Sequence, residues 1–63
     1  MFVEEYSNHW DNEHGYTMEE ALLKKAKVDD AHDVSNPNSR WEPAEIVPDQ
    51  SRHDGYKVII KTK

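Results

Sequence analysis

Thr17-Met18-Glu19-Glu20-Ala21-Leu22-Leu23-Lys24-Lys25-Ala26-Lys27-Val28 decides the fold class, because it reads as the chain's one helix. Thr17 and Glu20 have the spacing of a capping box. The Thr17 hydroxyl can accept from the Glu20 N–H, and the Glu20 carboxylate from the Thr17 N–H. Glu19 and Glu20 also suit the positive end of the helix dipole. Ala21 to Lys27 are strong helix formers. Met18, Leu22 and Ala26 make an apolar stripe, widened by Ala21 and Leu23, with the lysines opposite. Glu20 and Lys24 form a favourable i,i+4 pair. Asp29, Asp30 and Asp33 oppose the dipole at a C-terminus, so the helix is predicted to end near Val28.

Outward from the helix the signals change. Asp29–Ser39 reads as loop, since Ser35-Asn36-Pro37-Asn38-Ser39 is dense in turn formers. Ser7–Gly15 also reads as loop. Three stretches read as strands: Phe2–Tyr6, Arg40–Val47 and Tyr56–Lys63. In the last, Tyr56, Val58, Ile60 and Thr62 share one face, and Lys57, Ile59, Lys61 and Lys63 the other. Pro43 cannot donate to a ladder and confines the second strand to an edge. Pro48–Gly55 joins the second and third strands. These pieces predict an α+β fold, β-α-β-β, with a small three-stranded antiparallel sheet in the order 2-3-1 and the helix on one face. Ile59 on the opposite face hints at a covered surface there, or is a lone exposed apolar residue.

Sixty-three residues make a single domain, 1–63, that buries only about 60% of its unfolded surface. There is no cysteine to staple it. The net charge of −5 is uneven. Residues 1–20 carry Glu4, Glu5, Asp11, Glu13, Glu19 and Glu20 and no Lys or Arg. Such a chain is repelled by phosphate backbones, which argues against direct nucleic-acid binding, and is attracted by a basic protein surface. The acids serve equally well to keep a small domain soluble. No apolar run approaches the ~20 residues of a membrane span, and no signal-peptide core follows Met1, so a cytoplasmic location is expected.

Few residues suggest chemistry. His9 and His14 lie with Asp11 and Glu13, residue types that hold zinc, though their spacing does not place both imidazoles on one helix face. Solvated loop histidines are the simpler reading, and no metal or cofactor is assigned. Ser7, His9 and Asp11 contain the residue types of a hydrolytic triad without the nested geometry or a glycine elbow. No catalytic residue is assigned, and the chain is not expected to be an enzyme. Gly15 and Gly55 sit in similar contexts, His14-Gly15-Tyr16 and Asp54-Gly55-Tyr56, read as punctuation before regular elements. Trp41 is expected in the core. Trp10, in the acidic loop, is balanced between core and interface.

With Thr17-Met18-Glu19-Glu20-Ala21-Leu22 as the carrying motif, the chain resembles small acidic bacteriophage proteins that disable host enzymes, such as inhibitors of bacterial RNA polymerase. Size, acidity and β-α-β-β order share in the resemblance. It implies a host-directed inhibitor in the bacterial cytoplasm. No functional residue is carried over from it. The residues themselves point to a non-catalytic protein-binding module with an acidic face; the resemblance implies that its partner is a larger bacterial enzyme or nucleic-acid-processing complex, which it occludes. Its expected interface is Glu4, Glu5, Trp10, Asp11, Glu13, Glu19 and Glu20. Alternatives are a metal-binding or pH-responsive protein using His9 and His14, and a structural homo-oligomer.

Overall fold

The computed structural model describes residues 2–63. Strand β1 (Val3–Tyr6) is followed by helix α1 (Met18–Ala31), strand β2 (Glu45–Pro48) and strand β3 (Tyr56–Lys61). The sheet has the order β1-β3-β2, and both pairings are antiparallel. This is the arrangement expected, with the most apolar strand in the centre. Val3 pairs with Lys61 and Tyr6 with Val58; on the other side Glu45 pairs with Ile59 and Pro48 with Tyr56. The helix lies against β3 and β2.

Alternation along β3 sets the core. Val58 and Ile60 are buried beneath the helix, where they meet Ala21, Val28 and Ala44. Tyr6, Tyr16, Val34, Trp41, Ile46 and Tyr56 pack around this centre. The opposite face of β3 carries Lys57, Ile59 and Lys61. Ile59 is half-buried between Glu5 and Glu45 on its neighbours, and Lys57 donates to Glu5.

The capping box at Thr17 is formed in both directions. Two expectations about the helix are corrected. It runs to Ala31 rather than stopping near Val28. Asp29 does not oppose the dipole as a free charge: Lys25 Nζ lies 2.6 Å from one carboxylate oxygen, and the Ala44 N–H donates to the other at 2.7 Å. His32 then caps the end, its backbone N–H and ring Nδ1 lying 3.0 and 2.8 Å from the Val28 carbonyl. Asp33, in the left-handed region at φ 53°, turns the chain away.

The second correction concerns which stripe is buried. Ala21 and Val28, two turns apart, face the sheet, whereas Met18, Leu22 and Leu23 stay 45%, 54% and 65% exposed. The small Ala21 lets the helix approach a short sheet closely. The flanking cations fix its rotation, because Lys24 Nζ sits 5.0 Å above the Tyr6 ring and Lys25 holds Asp29. Lys24 and Lys25 are therefore half-buried at the margins of the packed face.

The strands are shorter than expected. Residues Arg40–Ala44 precede β2 outside the regular ladder, because Pro43 interrupts donation. Trp41 still forms a bridge with Thr62, and the Glu42 N–H donates to the Lys61 carbonyl at 2.9 Å. Trp41 packs against the core and meets the His32 ring edge-on at 4.5 Å.

Candidate functional site

Residues Ser7–Gly15 contain no regular element, yet side-chain bonds hold much of the loop. Asn8 is buried, and its Oδ1 accepts from the Trp10 N–H at 3.0 Å. Asp11 Oδ1 accepts from the Glu13 and His14 N–H groups at 2.8 and 3.1 Å. The Tyr16 hydroxyl donates to the Ser7 carbonyl at 3.0 Å. Local carboxylate and amide bonds of this kind are what short loops use in place of a ladder.

The second half of the chain locks this loop from beneath. Arg52 donates to the Asp11 carbonyl at 2.7 Å and to the Asn8 carbonyl at 3.5 Å. Its Nε lies 3.7 Å from Oδ2 of the buried Asp49, whose Oδ1 takes the Ser51 hydroxyl at 2.7 Å. That hydroxyl, the Ser51 N–H and the Arg52 charge outweigh burial and hold the Asp49 carboxyl below its usual range. Asp49 is thus ionised where Arg52 needs a counter-charge.

Gly15 and Gly55 complete the lock. Gly15 N–H donates to the Asp54 carbonyl at 2.7 Å, and Tyr16 and Tyr56 exchange backbone bonds of 2.8 and 2.9 Å. The His53 N–H reaches the Glu13 carbonyl at 2.8 Å. The two chains cross so closely that a Cβ on Gly15 would lie 2.7 Å from the Tyr56 nitrogen. The two glycines, read from the sequence as punctuation before regular elements, meet one another at this crossing. His14 Nδ1 sits 2.7 Å from Asp54 Oδ1 across the crossing, and this bond raises the imidazole pKa above its usual value.

On this fixed loop Trp10 is 96% exposed. Trp10 therefore lies outside the core. Asp11 and Glu13 lie beside it in the same loop. The N–H bonds from Glu13 and His14 lower the Asp11 pKa, so Asp11 keeps its charge to lower pH than an ordinary aspartate.

The other expected interface residues are dispersed. Glu4 accepts from the Tyr6 hydroxyl at 2.9 Å and pairs with His32 Nε2 at 2.8 Å; the Tyr6 bond first, then His32, keeps its pKa low. Glu5 lies on the opposite face of the sheet and holds Lys57. Glu20 closes the capping box, while Glu19 is exposed on the first helical turn. Of these residues only Trp10, Asp11 and Glu13 share one loop, where Trp10 and Glu13 are exposed and Asp11 is half-buried.

His14 finds its carboxylate in Asp54, with the His53 ring 6.4 Å away, and Asp11 turns inward to backbone amides. Among the described residues, no three His, Cys, Asp or Glu side chains are placed to hold a metal ion. No helix among them is long and apolar enough to cross a membrane. Arg52, which ties the loop down, had no sequence signal, because it reaches the Asp11 and Asn8 carbonyls across more than 40 positions. No protein-family model, curated protein or solved structure matches the chain.

Proposed function

We propose that this protein is a non-catalytic binding module whose anchor is Trp10, set in the acidic surroundings of Asp11 and Glu13. The observation that carries the reading is a Trp 96% exposed on a loop that side-chain bonds hold from both ends. Leaving an indole in water forgoes on the order of 3 kcal/mol of burial, a cost that a partner's pocket would recover. Because the loop is already ordered, little further entropy is lost when it docks. The partner is a protein with a pocket rimmed by Lys or Arg, in keeping with the chain's −5 charge. A larger bacterial enzyme or nucleic-acid-processing complex in the cytoplasm fits this description, and the mode of action is occlusion of its basic surface.

The test is quantitative capture from bacterial lysate on immobilised wild-type protein and on Trp10→Ala, followed by affinity measurement with the enriched protein. Trp10→Ala is expected to weaken binding by at least about tenfold, the size of an interface hot spot. The wild-type association rate is expected to fall as salt rises. Equal binding by both proteins would reject Trp10 as the anchor. A salt-independent association rate would reject the basic rim.

A further inference from the structure

One edge of the sheet is closed and the other is open. Along β3 the backbone groups alternate between the two neighbouring strands. The Thr62 N–H donates to the Phe2 carbonyl at 3.0 Å, whereas the Lys61 carbonyl accepts from the Glu42 N–H at 2.9 Å. Even-numbered residues of β3 therefore bond toward β1 and odd-numbered ones toward β2. Glu4, opposite Ile60, and Tyr6, opposite Val58, hold β1 in the ladder. The N–H and carbonyl groups of Val3 and Glu5 point the other way, and none of the four has a partner among the described residues. On β2 the outward-pointing residues are Ile46 and Pro48, preceded by Ala44. Asp29 takes the Ala44 N–H, Pro48 has no N–H to offer, and α1 lies against this strand. Strand β1 packs on β3 alone among the elements, and Val3, Glu4 and Glu5 are all exposed. An open edge of this kind is a template for a further strand.

We propose that the outer edge of β1 is a docking site for an extended, lysine- or arginine-bearing segment of a partner protein, which adds to the sheet as a fourth strand. The backbone decides the shape of the occupant. Two N–H and two carbonyl groups at alternate residues match the edge of an extended strand, whereas a helix bonds its own backbone internally. Charge decides between a partner and a second copy of this chain. Strand β1 carries Glu4 and Glu5 and no cation. Two β1 edges joined antiparallel in the register that uses all these groups would set Glu4 directly against Glu4 of the other copy, and like charges so placed repel. The same carboxylates favour a basic strand. Glu4 meets Tyr6 and His32 through one oxygen, and Glu5 meets Lys57 through one, so each keeps its second oxygen for a further donor. A segment alternating basic and apolar residues would set its cations on the face of Glu4 and its apolar side chains beside Val3. This inference goes beyond the Trp10 anchor, which takes no part in it.

Four backbone bonds make a weak site, so the test runs at high concentration. The probe is a capped hexapeptide of alternating lysine and valine, titrated to about 5 mM into the isotope-labelled full chain and followed by amide NMR. The Val3 and Glu5 amides are expected to shift and to exchange with solvent at least about fivefold more slowly. The Glu4 and Tyr6 amides, already bonded in the ladder, should move less. The same peptide with glutamate in place of lysine should bind at least about tenfold more weakly. Val3→Pro removes an outward N–H at an edge position that proline tolerates, so it should keep the fold by circular dichroism and bind at least about tenfold more weakly. Val3→Ala keeps the N–H and should bind within about threefold of wild type. Unmoved Val3 and Glu5 amides at the highest concentration would overturn the proposal. So would equal binding of the acidic peptide, or a folded Val3→Pro that binds as well as wild type. Should Val3→Pro lose the fold, the two peptides compared on the wild-type protein still decide. Trp10→Ala should bind the probe unchanged, so failure of this edge and failure of the Trp10 anchor are separately read.

Discussion

Gly15 and Gly55 occupy one another's side-chain space, and this contact closes the molecule at the residue scale. A methyl group on Gly15 would meet the Tyr56 backbone at 2.7 and 2.8 Å, where no flexible atom can yield. Gly55 adds a φ of +93°, a conformation that L residues adopt only with strain. Gly15→Ala is expected to cost about 1–3 kcal/mol, and Gly55→Ala more, because overpacking and backbone strain add. Against a total stability of roughly 3–9 kcal/mol for a chain this size, either is a large fraction. Urea unfolding followed by Trp fluorescence measures both; a change below about 0.5 kcal/mol would show that the two chains can separate without loss. The bond from His14 to Asp54 spans the same crossing. Asp54→Asn should bring the His14 pKa down toward its ordinary 6.5 in a histidine NMR titration. An unmoved titration would place the cause elsewhere, with Asp11 or Glu13.

At the scale of elements, the helix divides what the sequence made legible from what it hid. Its start was legible because a capping box is local: Thr17 and Glu20 need only each other. Thr17→Ala is expected to destabilise the fold by about 1 kcal/mol in the same urea assay. Its end was not legible, since Asp29 is accommodated by the Ala44 N–H, fifteen positions away and in another segment. Its buried face was hidden for a related reason. Periodicity weighs size and hydrophobicity, but the sheet selected Ala21 and Val28 because a close approach needs small side chains and because Tyr6 and Asp29 capture the lysines. The consequence can be measured. Leu23→Gln should change stability by less than about 0.5 kcal/mol, whereas Val28→Ala should cost about 1–2 kcal/mol. Equal losses would return the apolar stripe to the interior. The strands follow the same division: β3 was legible from its own alternation, while the limits of β2 depend on where Pro43 releases the chain to its partner.

For the molecule as a whole, its ionic bonds place maximal stability in the mildly acidic range. Glu4, Asp11, Asp29 and Asp49 all have pKa values below their ordinary ones in the folded chain. For Asp29 burial pulls upward, but Lys25 and the Ala44 N–H outweigh it. A carboxyl with a lowered folded pKa stabilises the fold above its unfolded pKa of about 4, and that contribution disappears as pH falls through the folded value. His14 has the opposite sign. Its raised pKa gives stability that is complete below about 6.5 and is lost as pH rises through the folded value. Lys57, raised by its bond to Glu5, behaves likewise but only near and above its ordinary 10.5. Stability should therefore be greatest between about pH 5 and 6.5. It should fall steeply below about pH 4, where several carboxylates take up protons together, and gently above 6.5, where one half-exposed imidazole loses its proton. Urea midpoints measured from pH 3 to 9 give the profile. Asp54→Asn should flatten the gentle alkaline slope and leave the steep acid limb in place, because the acid limb belongs to Glu4, Asp11, Asp29 and Asp49, whose lowered pKa values have other causes than Asp54. A profile that instead rises from pH 6 to 8 would mean that the His14–Asp54 bond adds nothing to the folded state.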